Sequence, residues 1–306
     1  MLRLLLSALL VTAATLHVAG QEPSTAPPIF KAKSDLVVLQ VNVFDGKSDA
    51  VPNLPQSAFT VVEDGRPQTI TFFNDADVPV AAGLVFDNST SMISRRKMVL
   101  AGSHAFVTSS HPEDELFTII FNEHVRLGLQ DEVAFTRSQA QLEASIVRFP
   151  AGGQTALYDA VIEGLDHLLQ AKHQKHVLIV LSDGDDNASR HSEADMLHRA
   201  SRSDALVYTI STADFAHQTG RPSVLKKLAQ RTGGVAYFPK SEDEIVQDFT
   251  EVAENIRRGY SIGYVPDNPR EDGEYRTVKV MVRVPGRNLS VRAREGYTEG
   301  SDADTQ

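Results

Sequence analysis

The sequence predicts an α/β fold, with a mostly parallel central sheet flanked by helices, inserted in a smaller all-β, sandwich-like domain. Three observations indicate this architecture. From residue 78 onward, short apolar strands alternate with helical stretches, which is typical of a parallel α/β unit. One of those helical stretches carries an unbroken apolar stripe. Segments rich in β-branched residues precede and follow this region, and neither set is large enough to form a stable sandwich alone.

The composition limits the classes of function. The chain has 306 residues, of which 42% are hydrophobic, enough for one full-sized core and a smaller second one. Its net charge is −10, and no long run of lysine or arginine would follow a phosphate backbone, so we expect no nucleic-acid partner. The chain contains no cysteine, which excludes disulfides, thiolate metal sites and lipid attachment at cysteine.

The first 20 residues have the pattern of a secretory signal peptide. Arg3 precedes an apolar run, and small residues end at Gly20, after which we expect cleavage. A short membrane anchor is the alternative, but the run is shorter than the ~20 residues that span a bilayer. We therefore predict a secreted or periplasmic bacterial protein with no transmembrane segment after cleavage. Residues 21–33 are rich in proline and predict a flexible leader.

Strands are predicted on both sides of the α/β region. Residues 34–76 form the N-terminal part of the β domain, with a strand at 36–44 and a hairpin of 59–63 with 69–73 around Asp64-Gly65. Residues 260–298 form the C-terminal part, with strands at 260–265, 277–284 and 289–293. The polar tail, 299–306, is predicted to be disordered.

The α/β region covers residues 78–258. Strands are predicted at 80–86, 116–121, 177–181, 206–210 and 235–238, and helices at 92–109, 136–147, 192–202, 223–232 and 242–258. The remaining helix has apolar residues on a single face, at Leu157, Ala160, Val161, Gly164, Leu165, Leu168 and Leu169.

Oxygen-bearing side chains follow two of these strands. Asp87, Ser89 and Ser91 come directly after strand 80–86, and Asp183 follows strand 177–181. Open α/β sheets bind ligands at the carboxyl ends of their strands. Thr155 follows a Gly-Gly turn just before the striped helix. We expect the three loops to converge at one edge of the sheet.

Five oxygen donors without a thiolate suit a hard cation. Mg²⁺ fits best, since it favours oxygen shells that retain water, and Mn²⁺ or Ca²⁺ are alternatives. With only two carboxylates nearby, the ion keeps enough Lewis acidity to attract an external carboxylate. Asp159 and Asp185 are candidates for hydrogen bonding to the ligands, although solvated carboxylates are the expected state of both.

Strand-Asp87-x-Ser89-x-Ser91, the downstream Gly-Gly-x-Thr155 and strand-Ser182-Asp183-Gly184 resemble the metal-ion-dependent adhesion site (MIDAS) of von Willebrand factor A (VWFA) and integrin I domains. The resemblance covers residues 78–258 and implies a Rossmann-like VWFA domain. It implies that Asp87, Ser89, Ser91, Thr155 and Asp183 surround the metal and that a ligand Asp or Glu completes the shell. The flanking β segments and signal peptide resemble VWFA-related secreted bacterial proteins.

Other interpretations of these residues fit less well. An EF-hand counted from Asp183 would need Gly and Glu where Ala188 and Ala194 stand. Ser89 and Ser91 lack the Gly-x-Ser-x-Gly context of a hydrolase, and Thr155 lacks the lysine of a phosphate loop. His167, His173 and His176 suggest zinc, but the neighbouring Lys172 and Lys175 favour a solvated helix end.

Three classes of function remain at this point. The first is a non-enzymatic adhesion or protein-interaction module whose partner presents an Asp or Glu carboxylate. The second is a structural subunit of a cell-envelope or secretion assembly with a permanent metal-mediated contact. The third, a metal-dependent hydrolase, lacks an evident general base.

Overall fold

A computed structural model describes residues 36–46, 49–130, 132–213, 220–268 and 274–298. The expected signal peptide (1–20), leader (21–33) and C-terminal tail (299–306) lie outside these ranges. None of the described helices combines the length and the apolarity that a membrane span needs.

The central sheet has six strands, in the order β11-β10-β9-β6-β7-β8. All neighbours in it are parallel except the edge strand β8, which runs antiparallel to β7. The strands are β6 (Ala81–Asp87), β7 (Glu115–Phe121), β8 (Val125–Leu127), β9 (His176–Ser182), β10 (Leu206–Ser211) and β11 (Ala236–Tyr237).

Within the described residues, six helices cover the two faces of this sheet, so its central strands are buried on both sides and are continuous apolar runs. They are α1 (Arg96–Thr108), α2 (Gln139–Val147), α3 (Leu157–Leu168), α4 (Glu193–Arg202), α5 (Pro222–Thr232) and α6 (Glu242–Arg258). Helices α1, α2 and α6 pack on one face, and α3, α4 and α5 on the other. The predicted α/β fold is confirmed. The helix expected at 92–109 begins at Arg96, because a 3₁₀ segment (Thr90–Arg95) precedes it, and β8 was not predicted.

Two antiparallel sheets combine strands from before and after the α/β unit. The first has the order β14-β1-β12-β5, with β2 beside β1, and the second has the order β15-β13-β3-β4. Their apolar side chains, including Leu39, Val61, Ile262 and Val280, form one shared core. The strands are β1 (Val37–Asp45), β2 (Asp49–Ala50), β3 (Phe59–Glu63), β4 (Arg66–Gln68), β5 (Ile70–Asn74), β12 (Tyr260–Tyr264), β13 (Tyr275–Val282), β14 (Leu289–Arg292) and β15 (Gly296–Thr298). The exact domain boundaries stay a prediction.

The hairpin predicted between 59–63 and 69–73 is wrong in its second strand. Asp64 (φ 45°) and Gly65 (φ 80°) form a tight turn that pairs β3 with β4 instead. Strand β5 then crosses to the other sheet and pairs with β12. There the Phe73 ring lies 5.4 Å from that of Phe59, so the crossing is stabilised by contact inside the shared core.

The solvated helix end predicted around the histidines holds for the exposed Lys172 but is wrong for His167 and Lys175. His167 is 3% exposed, donates from Nε2 to the carbonyl oxygen of Ala134 at 2.8 Å, and its ring lies 4.4 Å from that of Phe117. Lys175 is 5% exposed, and its Nζ donates to the carbonyl oxygen of Ile256 at 2.5 Å. Both side chains are buried because each polar end finds a carbonyl partner.

Candidate metal site

The carboxyl ends of β6 and β9 meet at one edge of the central sheet. The two strands are parallel, and Phe86 pairs with Leu181, which places Asp87 beside Ser182. The Oγ of Ser182 donates to Oδ2 of Asp87 at 2.8 Å. The loops that carry the two predicted carboxylates therefore start from adjacent points.

Asp87 and Asp183 are both buried. Burial raises the pKa of the Asp87 carboxyl to about 6, although hydrogen bonds from Ser89 and Ser182 oppose the rise and Asp183 adds to it. In the described part of the chain, no lysine, arginine or histidine lies within ion-pair distance of either carboxylate. Two buried acids thus lie near each other without a cationic side chain.

The hydroxyls of Ser89 and Ser91 lie close together in the same loop. Their Oγ atoms are 3.1 Å apart, and the amide of Ser89 donates to Oδ1 of Asp87 at 2.9 Å. The chain then enters the 3₁₀ segment, which begins at Thr90. This compact turn brings two neutral oxygens next to the Asp87 carboxylate.

The turn that presents Thr155 is bonded to this loop. Gly152 donates its amide to the carbonyl oxygen of Asn88 at 2.8 Å, and the Thr90 amide donates to the carbonyl oxygen of Gly153 at 3.2 Å. Both glycines have positive φ values, of 142° and 91°, which side-chain-bearing residues rarely adopt.

The turn between β7 and β8 also forms hydrogen bonds to the segment 152–155, which presents Thr155. Oε2 of Glu123 accepts the amide of Gln154 at 3.0 Å, and the Asn122 side chain donates to the carbonyl oxygen of Gly152 at 2.9 Å. A Cβ atom at Gly153 would lie 1.8 Å from Oε2 of Glu123. A side chain at this position would displace the Glu123 carboxylate, and the φ of 91° would strain it.

Thr155 is bonded in turn to the loop that follows Asp183. Its amide donates to Oδ1 of Asn187 at 2.8 Å, and its carbonyl oxygen accepts the amides of Asn187 and Ala188 at 2.9 and 3.0 Å. Farther along α3, Oδ2 of Asp186 accepts the amide of Tyr158 at 3.0 Å. Helix α3 has no side-chain cap of its own, so the β9 loop caps it from outside.

The comparisons with known proteins concern the fold. No protein-family model matches the chain, and no curated protein sequence matches it. Among solved structures, the chain is similar to von Willebrand factor type A from Catenulispora acidiphila, at 14% identity and a TM-score of 0.51, over 90% of this chain and 78% of that one. The chain has the VWFA fold.

Two further solved structures are similar over a smaller part of the chain. Proximal thread matrix protein 1 from the mussel byssus, in a form with a zinc-occupied MIDAS motif, has 16% identity, a TM-score of 0.48, and covers 63% of this chain and 49% of its own. BatB from Bacteroides thetaiotaomicron has 11% identity, a TM-score of 0.45, and covers 58% of this chain and 98% of its own. At these TM-scores, neither likeness carries an argument about the site.

Within the VWFA fold, Asp87, Ser89, Ser91 and Asp183 lie in two loops joined through Ser182, and the turn of Thr155 is bonded to both. That all five side chains share one ion stays a prediction. Among the described residues, no three His, Asp or Glu side chains are arranged to hold a metal, so an ion at this edge depends on hydroxyl oxygens.

Some residues of this edge were not recognised from the sequence. Asn187 and Glu123 position the Thr155 turn. The sequence signal for Asn187 was the run Asp-Asp-Asn just after Asp183-Gly184, whose side chains can accept hydrogen bonds. Asp159 was expected to be solvated, but its carboxylate accepts the amides of Arg190 and His191 at 2.9 and 3.0 Å and is 20% exposed. The Asp159 carboxylate is bonded in this way because the loop after β9 folds back over the start of α3.

Proposed function

We propose that this chain is an exported VWFA-domain protein that binds a divalent cation, Mg²⁺ foremost, and uses it to capture a carboxylate on a partner protein. The ion would be held by Asp87, Ser89, Ser91, Thr155 and Asp183. Mn²⁺ and Ca²⁺ are the alternative ions. The place of action would be the periplasm or the cell exterior.

The observation that carries the proposal is the pair of buried carboxylates without a cationic neighbour. Asp87 is 3% exposed and Asp183 is 5% exposed. Removing an ionised carboxylate from water costs several kcal/mol unless a charge partner is present. A divalent cation supplies that partner, and the surrounding donors, all oxygens, are of the kind that Mg²⁺ prefers.

The chain's own residues orient the donors before any ion arrives. The Ser182 hydroxyl and the Ser89 amide hold the two oxygens of Asp87. Within the described residues the Thr155 hydroxyl makes no hydrogen bond to protein, so it is free to serve as a ligand. When bound, the ion supplies a Lewis-acidic position for an external carboxylate.

A binding role is favoured over catalysis by the surroundings of the hydroxyls. Across the ranges that the structure describes, no histidine or lysine contacts Ser89, Ser91 or Thr155, so none has the adjacent base that activates a nucleophile. The hydrolase alternative would regain support from Mg²⁺-dependent turnover that disappears in Asp87→Ala. The structural-subunit alternative would gain support if a folded Thr155→Ala variant still joined all its native partners.

Calorimetric titration with Mg²⁺ tests the ion site. We expect wild type to bind and Asp183→Asn, which keeps the shape of the side chain, to lose most of the binding heat. Asp185→Asn is the matched control, since it removes the same charge from the same loop and should retain binding. Equal heats from wild type and Asp183→Asn would exclude Asp183 from the site, and no heat from wild type would refute the proposal.

A further inference from the structure

Three arginines contact Phe149 beside the candidate metal site, two at its ring and one at its backbone carbonyl. The guanidinium carbons of Arg126 and Arg148 lie 5.3 and 5.4 Å from the centroid of Phe149. Arg96 donates from Nη2 to the carbonyl oxygen of the same residue at 2.9 Å. We call Arg96, Arg126 and Arg148 the arginine cluster.

The arginine cluster has no carboxylate partner among the described residues. Its hydrogen bonds go to backbone carbonyl oxygens and to Oδ1 of Asn122, which lies 3.4 Å from Nη1 of Arg126. Glu123 is near enough for Arg126 to lower the pKa of its carboxyl, but the two form no ion pair.

Some arginines elsewhere in the described residues do pair with acids. Arg221 contacts Glu193 at 3.2 Å, and Arg287 contacts Asp45 at 2.8 Å. The arginine cluster forms no such pair, so its guanidiniums are available to an external anion.

The arginine cluster borders the candidate site through Asn88, the residue after Asp87. The Asn88 side chain donates to the carbonyl oxygen of Pro150 at 2.8 Å, directly after Phe149. Arg96 also lines the same small cavity as Asp87 and Asn88. The arginine cluster therefore adjoins the loop that follows Asp87.

We infer that the partner presents an acidic peptide segment, with one carboxylate at the ion and further carboxylates at the arginine cluster. This inference rests on the proposed function. A chain of net charge −10 repels an acidic peptide at long range, so such a partner requires a local cationic surface. Guanidiniums held against a ring are preorganised and bind carboxylates in a bidentate manner.

Two fluorescein-labelled peptides test the inference by fluorescence anisotropy in Mg²⁺. One contains six consecutive glutamates, and the other contains a single glutamate among glycines and serines. We expect wild type to bind the hexaglutamate peptide about tenfold more tightly, as two partly exposed charge pairs would give. The variant Arg126→Gln/Arg148→Gln should lose most of that preference while its Mg²⁺ heat and its single-glutamate binding stay unchanged.

The matched control is Arg258→Gln/Arg287→Gln, which removes the same charge from ion-paired arginines outside the arginine cluster. It should keep the preference. An equal loss in the control, a wild type that does not prefer hexaglutamate, or a cluster variant that behaves as wild type would each overturn the inference.

The same measurements separate this inference from the proposed function. If Mg²⁺ gives no heat but arginine-dependent hexaglutamate binding persists in chelator, the ion site fails and the acidic preference stands. If Mg²⁺ binds but neither peptide does, the inference is overturned and the ion site stands.

Discussion

The backbone amide of Thr155 donates to Oδ1 of Asn187 at 2.8 Å, so a side chain from the loop after β9 holds the residue that precedes α3. The amide of Asn187 returns a bond to the carbonyl oxygen of Thr155 at 2.9 Å. Because Asp183 lies four residues before Asn187, this reciprocal pair ties two predicted ligands of the ion to each other.

Asn187→Ala should therefore weaken Mg²⁺ binding without removing a ligand. Loss of a residue that orients a ligand typically lowers metal affinity about tenfold, and the lost hydrogen bond should lower the free energy of unfolding by about 1 kcal/mol. Calorimetry and urea denaturation measure the two effects. Asn187→Asp keeps the acceptor oxygen and should retain most of the stability. Unchanged Mg²⁺ affinity in Asn187→Ala would show that the pair does not position Thr155.

The stability of the metal-free protein should fall as the pH rises through the range in which Asp87 ionises. Burial raises the pKa of this carboxyl to about 6 in the folded chain, above the value of about 3.9 in an unfolded one. The unfolded chain loses its proton first, so stability is lost between about pH 4 and pH 6, by at most about 3 kcal/mol. Asp87→Asn should remove this decline, as urea denaturation across the range would show.

Mg²⁺ should oppose this loss of stability, because it binds the ionised carboxylate of Asp87. The increase in melting temperature caused by Mg²⁺ should be larger at about pH 7.5 than at about pH 5, where protons compete for Asp87. A shift of equal size at both pH values would contradict a role for Asp87 as a ligand.

The central sheet was predictable because its strands are buried on both faces. Strands such as β6 and β9 are therefore continuous apolar runs. Each ends at a polar loop, and the side chains of these loops are the candidate ligands. The convergence of Asp87 with Ser182 followed from parallel strands ending at one edge.

Contacts between distant residues were less accessible from the sequence. The sequence of β5 does not identify its neighbour. The turn at Asp64-Gly65 pairs β3 with β4, and β5 pairs with β12, where Phe73 contacts Phe59 in the shared core. Lys175 and His167 have polar neighbours in sequence, and their burial depends on carbonyl partners at Ile256 and Ala134. Local pattern carries no information about such partners.

Arg257→Gln should destabilise the protein strongly. Arg257 donates from Nη2 to Oδ2 of Asp114 at 2.9 Å, and Asp114 is 1% exposed. Removing the guanidinium leaves that buried carboxylate without its ion-pair partner, which costs about 3 kcal/mol. The adjacent Arg258→Gln is the control, since its pair with Glu254 is exposed and contributes under about 0.5 kcal/mol. Urea denaturation giving equal losses for the two variants would contradict this role of Asp114.

The pair of His176 with Asp204 should make stability decline as the pH rises above about 6.5 and through the raised pKa of the folded histidine. Nδ1 of His176 lies 2.8 Å from Oδ1 of Asp204. Burial alone would lower the pKa of His176, but the hydrogen bond and charge of Asp204 outweigh it and raise the pKa. A raised histidine pKa gives stability that is complete below about pH 6.5 and is lost as the pH rises through the folded value. Since the Asp204 side chain is 48% exposed, the difference should stay under about 1 kcal/mol.

His176→Gln isolates this contribution. Burial lowers the pKa of Lys175 to about 8, so Lys175 titrates in the same range, but it does so in both proteins. The difference between wild type and His176→Gln in free energy of unfolding, measured by urea denaturation at each pH, therefore reports the His176–Asp204 pair. Asp204→Asn should flatten the same part of the profile, because it removes the charge that raises the histidine pKa. If wild type and both variants decline with the same slope, the decline does not come from this pair. It cannot come from Lys175 either, because a lowered lysine pKa makes stability rise as the pH rises above about 8.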